Sequence, residues 1–324
     1  MNKKIAVIHD EMHPLLEKIF ERLDQCGFQP SYVHWSSLFT QGGGNHPLIE
    51  FDTVYLDRMG ETTPSYSTQI LLLKELVENT PSIHIVNSPG SYFVARNKAL
   101  MAGKLVTENL PTPITKICHN ESQIEDFCQQ YGFDFYIAKS FLGCCAEDIY
   151  PFANGRIPKE ACNILHRDGM IIVQEFVYNP ERFIWRVDVV NNQVIQCNQR
   201  FAFNDDPNTP LCNGTIGGEI VFWAPEQLPR DVRDLAIRAV NALGLVIAGV
   251  DILVSRTGDL FIAEVNPEPD ITLNRLEFPY AIADYLSGMN CYLSVLQNSI
   301  FHRFSHIYSV RNINGTLYIV SNAL

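Results

Sequence analysis

Two acids and an amide late in the chain have the types and spacing of a cation site: Asp251, Glu264 and Asn266 in AGVDILVSRTGDLFIAEVN. Two apolar runs flank Arg256-Thr257-Gly258-Asp259, a glycine-containing connection of hairpin type. With Thr257-Gly258 as a two-residue loop, Arg256 faces Asp259, Leu253 faces Ile262 and Asp251 faces Glu264. A three-residue loop would shift that register. Like charges directly opposite on a sheet repel, so such a pair inside apolar strands calls for a cation or a shared proton. Asn266 shares the face of Glu264 because strand side chains repeat every two residues. An all-oxygen donor set without His or Cys suits a hard cation, and magnesium bound with nucleotide phosphates uses one or two protein carboxylates. The competing reading of the same residues is two strand-end acids facing water.

Elements able to hold this hairpin are legible on its N-terminal side. KIAVIHD reads as a buried strand, and Leu15, Leu16, Ile19, Phe20 and Leu23 recur at helical spacing before Gly27. Short strands follow at SYVHW, TVYLDRMG and IHIVNSP, the last ended by Asn-Ser-Pro, with a helical stretch through Ile70 to Val77 between the latter two. Residues 1–90 therefore read as a small α/β lobe. A helix from Asn97 runs to the break at Pro111-Thr112-Pro113, another passes Ile124, Phe127 and Cys128 to Gly132, and FYIAKS is a strand. Then come the strands IIVQEFV and WRVDVVNNQVIQCN, a helix from Arg230 to Leu243 closed by Gly244, the hairpin over 247–266 and a helix near 279–298.

Composition narrows the function. A chain of 324 residues with 46% hydrophobic and 19% charged positions can bury a core spread over two or three lobes. Its net charge of −12, with no basic stripe among 24 Lys and Arg, excludes a nucleic-acid surface. The apolar runs are interrupted by Gly or Asp well short of a membrane span, and MNKKIAVIHDEM lacks a signal-peptide pattern. Nine scattered cysteines without a C-x-x-C pair suit reduced thiols better than disulfides or zinc. The expected location is the cytoplasm. No Walker loop, G-x-S-x-G, H-E-x-x-H or G-x-G-x-x-G occurs.

The run Gly249-Val250-Asp251-Ile252-Leu253 followed by Glu264-Val265-Asn266 resembles the magnesium-binding hairpin of the ATP-grasp superfamily, and within it the RimK-like amino-acid ligases, which include glutamate ligases acting on a ribosomal protein or on cofactors. The resemblance covers most of the chain. It implies an α/β fold of ATP-grasp type: a Rossmann-like pre-ATP-grasp domain over 1–90, a small ATP-grasp subdomain over 91–170 and a large one over 171–324. It also implies ATP with magnesium, or manganese in its place, and transfer of phosphate to a carboxylate, giving an acyl phosphate that an amine attacks. Lys98, in VARNKALMAGK, and Lys139, in FYIAKSFLG, match the family's two phosphate-contacting lysines. Gln174, Glu175, Phe176 and Val177 match the hinge whose backbone holds adenine, and Arg186 and Arg200 match arginines that serve the anionic intermediate. Asn213 opens Asn213-Gly214-Thr215-Ile216-Gly217-Gly218, where relatives usually carry Arg in place of Ile216. Arg58, in YLDRMG, matches a substrate-side arginine, and a strand-capping surface arginine is the competing reading. Taken without the resemblance, each lysine reads as a solvated charge and IIVQEFV as a core strand.

One segment departs from the family. After Lys139 relatives fold small and basic residues over the terminal phosphates, whereas this chain reads Gly143-Cys144-Cys145-Ala146-Glu147-Asp148, and two acids beside a triphosphate are electrostatically unfavourable. Three readings follow: a ligase of amino acids or peptides, a nucleotide-binding sensor or scaffold without turnover, or a ligase that modifies a precursor peptide. A homo-oligomer is left open.

Overall fold

The apolar strand KIAVIHD becomes β1 (Ile5–His9), buried along its whole length, as a strand covered on both faces must be. It pairs in parallel with β2 (Ser31–His34) and β3 (Thr53–Leu56), and β3 pairs in parallel with β4 (His84–Val86), giving the order β2-β1-β3-β4. Helix α1 (Pro14–Gln25) starts at a proline in its first turn and buries Leu16, Ile19 and Leu23. The computed structural model describes residues 3–9, 12–39, 47–57, 70–75, 83–142, 148–153, 155–206, 208–212, 218–268, 276–288, 307–313 and 316–322.

Past β4, Ser88 caps α2 (Pro89–Arg96) by accepting a hydrogen bond from the Ser91 amide, and Asn97 caps α3 (Lys98–Thr107) through the amides of Ala99 and Leu100. Asn97 thereby fixes where Lys98 leaves the backbone. An antiparallel sheet follows, in the order β5-β8-β6-β7, from β5 (Thr115–Cys118), β6 (Phe135–Lys139), β7 (Ile149–Ala153) and β8 (Ile171–Glu175). Helices α4 (Glu121–Tyr131) and α5 (Lys159–Asp168) bury Ile124, Phe127, Ile164 and Leu165 in its core.

The largest sheet is antiparallel and runs β13-β12-β9-β10-β11-β14-β15. Its strands are β9 (Phe183–Val190), β10 (Gln193–Phe201), β11 (Ile220–Trp223), β12 (Ile247–Val254), β13 (Leu260–Asn266), β14 (Ile307–Ile313) and β15 (Thr316–Asn322). Alternation divides β9 between two faces. Trp185, Val187 and Val189 join Val250, Ile252, Ile262 and Val265 in a core under α6 (Arg230–Ala242), while Arg186 and Asp188 point the other way. The last described helix, α7 (Glu277–Ser287), packs on α1, where Arg22 clamps Asp284 through contacts of 2.8 and 3.2 Å. The helix expected near 279–298 is thus observed to end at Ser287.

The sheets are also tied by Asn87, wholly buried just after β4. Its Oδ1 accepts from the Val246 and Ile247 amides at 2.8 and 2.9 Å, and its Nδ2 donates to the carbonyls of Ile247 and Pro267. One side chain therefore fixes the end of the parallel sheet to both strands of the acid-bearing hairpin.

Candidate active site

Asp251 does pair with Glu264, though by a different route from the two-residue turn. The Ser255 amide bonds the Asp259 carbonyl at 2.8 Å, so the turn holds Arg256, Thr257 and Gly258, with Gly258 at φ +87°, where a side chain would be strained. This shifts the register beyond the turn: Leu253 faces Phe261, not Ile262, and Ile262 faces Ile252 in the core. A bulge at Ala263 then absorbs one residue and returns Glu264 to the face of Asp251. Without the bulge Glu264 would point at the apolar core, since a one-residue slip exchanges the faces of a strand.

That face continues across the sheet as a buried polar stripe. Asp251 lies opposite Arg186, Gly249 opposite Asp188 and Asn266, Asn198 opposite Arg186, and Gln196 opposite Asp188. The Arg186 guanidinium crosses above Gly249, where an added Cβ would meet it at 2.0–2.3 Å. From there Nε donates to Asp188 Oδ1 at 2.8 Å and Nη1 lies 3.3 Å from Asp251 Oδ2. Arg200 Nε donates to Asn198 Oδ1 at 3.4 Å, and Gln196 Nε2 donates to Asp188 Oδ2 at 3.2 Å. The side-chain nitrogen of Asn198 is buried with no hydrogen-bond partner among the described residues. Sequence reasoning missed Asp188, Gln196 and Asn198, although their spacing of two along β9 and β10 was a visible sign of one polar face.

Two lysines reach the acids from other elements. Lys98, first residue of α3, places Nζ 3.1 Å from Glu264 Oε1, and Lys139, last residue of β6, donates to Gln174 Oε1 at 3.0 Å. Burial raises the pKa of Asp251, with Arg186 and Arg200 opposing. Burial also pushes Glu264 up, but the surrounding cations, Lys98 first and then Lys139 and Arg96, hold that carboxyl below its ordinary value. Burial lowers Lys139 to about 8, against the pull of Glu264 and with added repulsion from Lys98. The charge opposition foreseen for the acid pair is thus met by cationic side chains, Arg186 on one acid and Lys98 on the other. Arg96, also missed from sequence, adds a positive field at Glu264 and pairs with the buried Glu268 at 3.0 Å, which Tyr92 also contacts.

The donor set fits a hard cation. Asp251 and Glu264 are direct neighbours on one face, Asn266 Nδ2 lies 3.5 Å from Asp251 Oδ2, and no His or Cys intervenes. Beside it, a crevice bounded by Lys98, Met101, Leu105, Thr115, Lys139 and Gln174 has about 10 Å³ accessible to water, room for a single molecule. At the hinge, the Glu175 amide bonds the Ile114 carbonyl and the Phe176 amide bonds the Phe135 carbonyl, so those two donors are engaged in sheet pairing. Val177, next in the chain, leads on to Tyr178, whose ring lies under the Arg256 guanidinium.

Arg58, Asn213 and residues 143–147 lie outside the described residues. Asp148, at the end of the atypical loop, is described: Arg167 on α5 grips it at 2.9 Å. Arg167 is shared, since its Nε also holds Asp168 Oδ1 at 2.7 Å, so one cation serves two acids there. Among the described residues no helix is long and apolar enough to cross a membrane.

A family model described as the RimK-like ATP-grasp domain matches residues 95–284. The chain is 28% identical over 228 residues, 69% of its length and 72% of the relative's, to a probable alpha-L-glutamate ligase of Xanthomonas oryzae pv. oryzae. It is 29% identical over 226 residues, 69% of its length and 71% of the relative's, to the ribosomal protein bS6--L-glutamate ligase of Salmonella paratyphi B. Among solved structures it resembles the ATP-grasp ligase PsnB in complex with a phosphomimetic variant of its minimal precursor, Mg and ADP, at a TM-score of 0.66 and 15% identity, over 89% of this chain and 98% of that one.

Proposed function

The chain belongs to the RimK-like ATP-grasp family of ATP-dependent carboxylate–amine ligases, and on that premise we propose that Asp251, Glu264 and Asn266 hold magnesium, or manganese, against the phosphates of ATP. The observation that carries this reading is the convergence of Lys98, from α3, and Lys139, from β6, on the hairpin face that bears the two acids. Bound there, the ion would neutralise phosphate charge and orient the transferred group. The lysines grip phosphate oxygens. The hinge Gln174–Val177 faces the adenine, with Asn213 on the nucleotide side, and Arg58 serves the substrate.

The reaction proposed is phosphoryl transfer to a substrate carboxylate, followed by attack of an amine on the acyl phosphate. Arg186 and Arg200 stabilise the anionic intermediate: Arg186 is preset by Asp188, so little reorganisation is needed when charge develops. The N-terminal parallel sheet is read as a Rossmann-like pre-ATP-grasp domain over 1–90, with ATP-grasp subdomains over 91–170 and 171–324, although β8 pairs with strands from the smaller of these. The amine or acid is an amino acid or a peptide, and the setting is cytoplasmic. The similarity to a ligase solved with its precursor keeps a peptide substrate in view.

The test is ADP release screened over amino acids, short peptides and peptide carboxylates, with hydroxylamine as a trap. The proposal expects ADP only when a carboxylate is present and an acyl hydroxamate when hydroxylamine replaces the amine. ATP hydrolysis indifferent to every carboxylate would favour a nucleotide-binding role without ligation.

A further inference from the structure

A second group of potential ligands lies at the other end of the molecule's polar inventory. His9 ends β1, Asp57 follows β3, and His13 immediately precedes α1. Because β1 and β3 are parallel neighbours, their carboxyl ends meet, and the chain leaving β1 brings His13 back over them. His13 Nε2 lies 2.9 Å and His9 Nε2 3.8 Å from Asp57 Oδ2, and one ligand atom from each residue falls within 4.8 Å of the others. The two rings meet edge to face at 4.4 Å between centroids.

The burial of this group sets its chemistry. Asp57 is completely buried and His9 is 5% exposed. The Tyr55 hydroxyl donates to Asp57 Oδ1 at 3.3 Å, which leaves Oδ2 turned to the imidazoles, and among the described residues these are its ion-pair partners. A buried carboxylate needs a countercharge, and two neutral imidazoles with one carboxylate supply it when they share a divalent ion. His13 Nδ1 is buried without a hydrogen-bond partner among the described residues, so no other described group fixes which nitrogen of that ring serves as donor atom.

We propose that His9, His13 and Asp57 form a binding site for a divalent transition-metal ion of zinc type, with a fourth position open to water or a ligand. Two nitrogens and one oxygen select borderline ions over magnesium, so this site differs in kind from the all-oxygen cluster at Asp251 and Glu264. Three protein ligands and one open position are the arrangement of zinc sites that take a substrate donor. The positive end of α1 works against a cation here, which makes affinity depend on the charge of Asp57. Its position, at the carboxyl ends of parallel strands, is where open α/β sheets receive ligands. The inference is independent of the ligase reading.

The test is titration of the full chain, stripped with EDTA, by Co2+ in excess Mg2+. The expected result is a visible d–d band of a four-coordinate, nitrogen-ligated site that saturates at one equivalent per chain and is displaced by Zn2+. His13→Asn and His9→Gln each lower the cobalt affinity by at least roughly tenfold, while Glu264→Gln leaves the band unchanged. His13 is the primary variant because its ring is partly exposed, and circular dichroism checks that the fold is retained. The proposal is overturned by the absence of a band, by a band that survives His13→Asn, or by one that Glu264→Gln abolishes. A ligation rate that falls in His13→Asn without any cobalt band also overturns it, and would make His13 and Asp57 a proton-handling pair.

Discussion

At the scale of single residues, isosteric substitutions in the candidate active site separate charge from shape. Glu264→Gln preserves shape while removing one of the two negative charges, and turnover is expected to fall on the order of 100-fold or more with an unchanged circular dichroism spectrum. Coupled ADP release measures it, and near-native turnover would remove Glu264 from the metal site. Lys139 gives a pH prediction. Its pKa of about 8 lies below the ordinary 10.5, so above pH 8 the ligand-free chain has lost a proton that anionic phosphates favour restoring. Nucleotide binding should therefore take up protons above pH 8 and weaken as pH rises, and Lys139→Met should abolish the uptake. Calorimetry in two buffers of different ionisation enthalpy reads it directly. The types of these residues were visible in sequence, and the family resemblance implied that Lys98 and Lys139 serve the same phosphates as the hairpin's cation, but the direct contact of Lys98 with Glu264 was not legible. They lie on separate elements, and only tertiary packing brings α3 and β6 to one hairpin.

At the scale of elements, the hairpin shows what a pattern can specify and what it leaves open. Alternating residues foretold that Asp251 and Glu264 would face one another. They did not reveal that a three-residue turn and a bulge at Ala263 would shift the register and then restore it. The reason is that Ile262 gains from the core contact with Ile252, a long-range packing choice that local alternation does not encode. Gly249 illustrates the same limit: nothing local requires it, yet the Arg186 guanidinium occupies the space of its missing side chain. Gly249→Ala should expel Arg186 from its contacts with Asp188 and Asp251. Because Asp188 would then be buried without its cation, stability should drop by about 3–5 kcal/mol while turnover falls far more. Denaturant unfolding set beside steady-state rates distinguishes this from a general collapse, in which both would fail together.

At the scale of the whole molecule, the parallel sheet and the acid-bearing hairpin were readable from hydrophobic pattern and turn signals, whereas β5, β7, β11, β14 and β15 were not, and the placement of the sheets rests on a core that β1 and α1 share with Val190, Ile195, Ile247 and α7, to which Asn87 adds its hydrogen bonds. Asn87→Ala leaves two backbone amides and two carbonyls of the hairpin region short of a partner, at a cost of about 1–3 kcal/mol for each group that water does not reach. The unfolding midpoint should fall, and KM should rise more than kcat falls, since substrate would meet a loosened junction between lobes. Unaltered thermal unfolding would show that other contacts hold the lobes. The ion pair between Lys98 and Glu264 has a further consequence. At the proposed site, magnesium would have to displace Lys98 to reach Glu264, and nucleotide phosphates would draw Lys98 from the same acid, so each ligand would remove the other's competitor. The two should bind with positive heterotropic linkage, equal in either direction. Part of that coupling is written into the ligand-free protein, so Lys98→Met, which weakens nucleotide binding, should tighten the binding of magnesium alone.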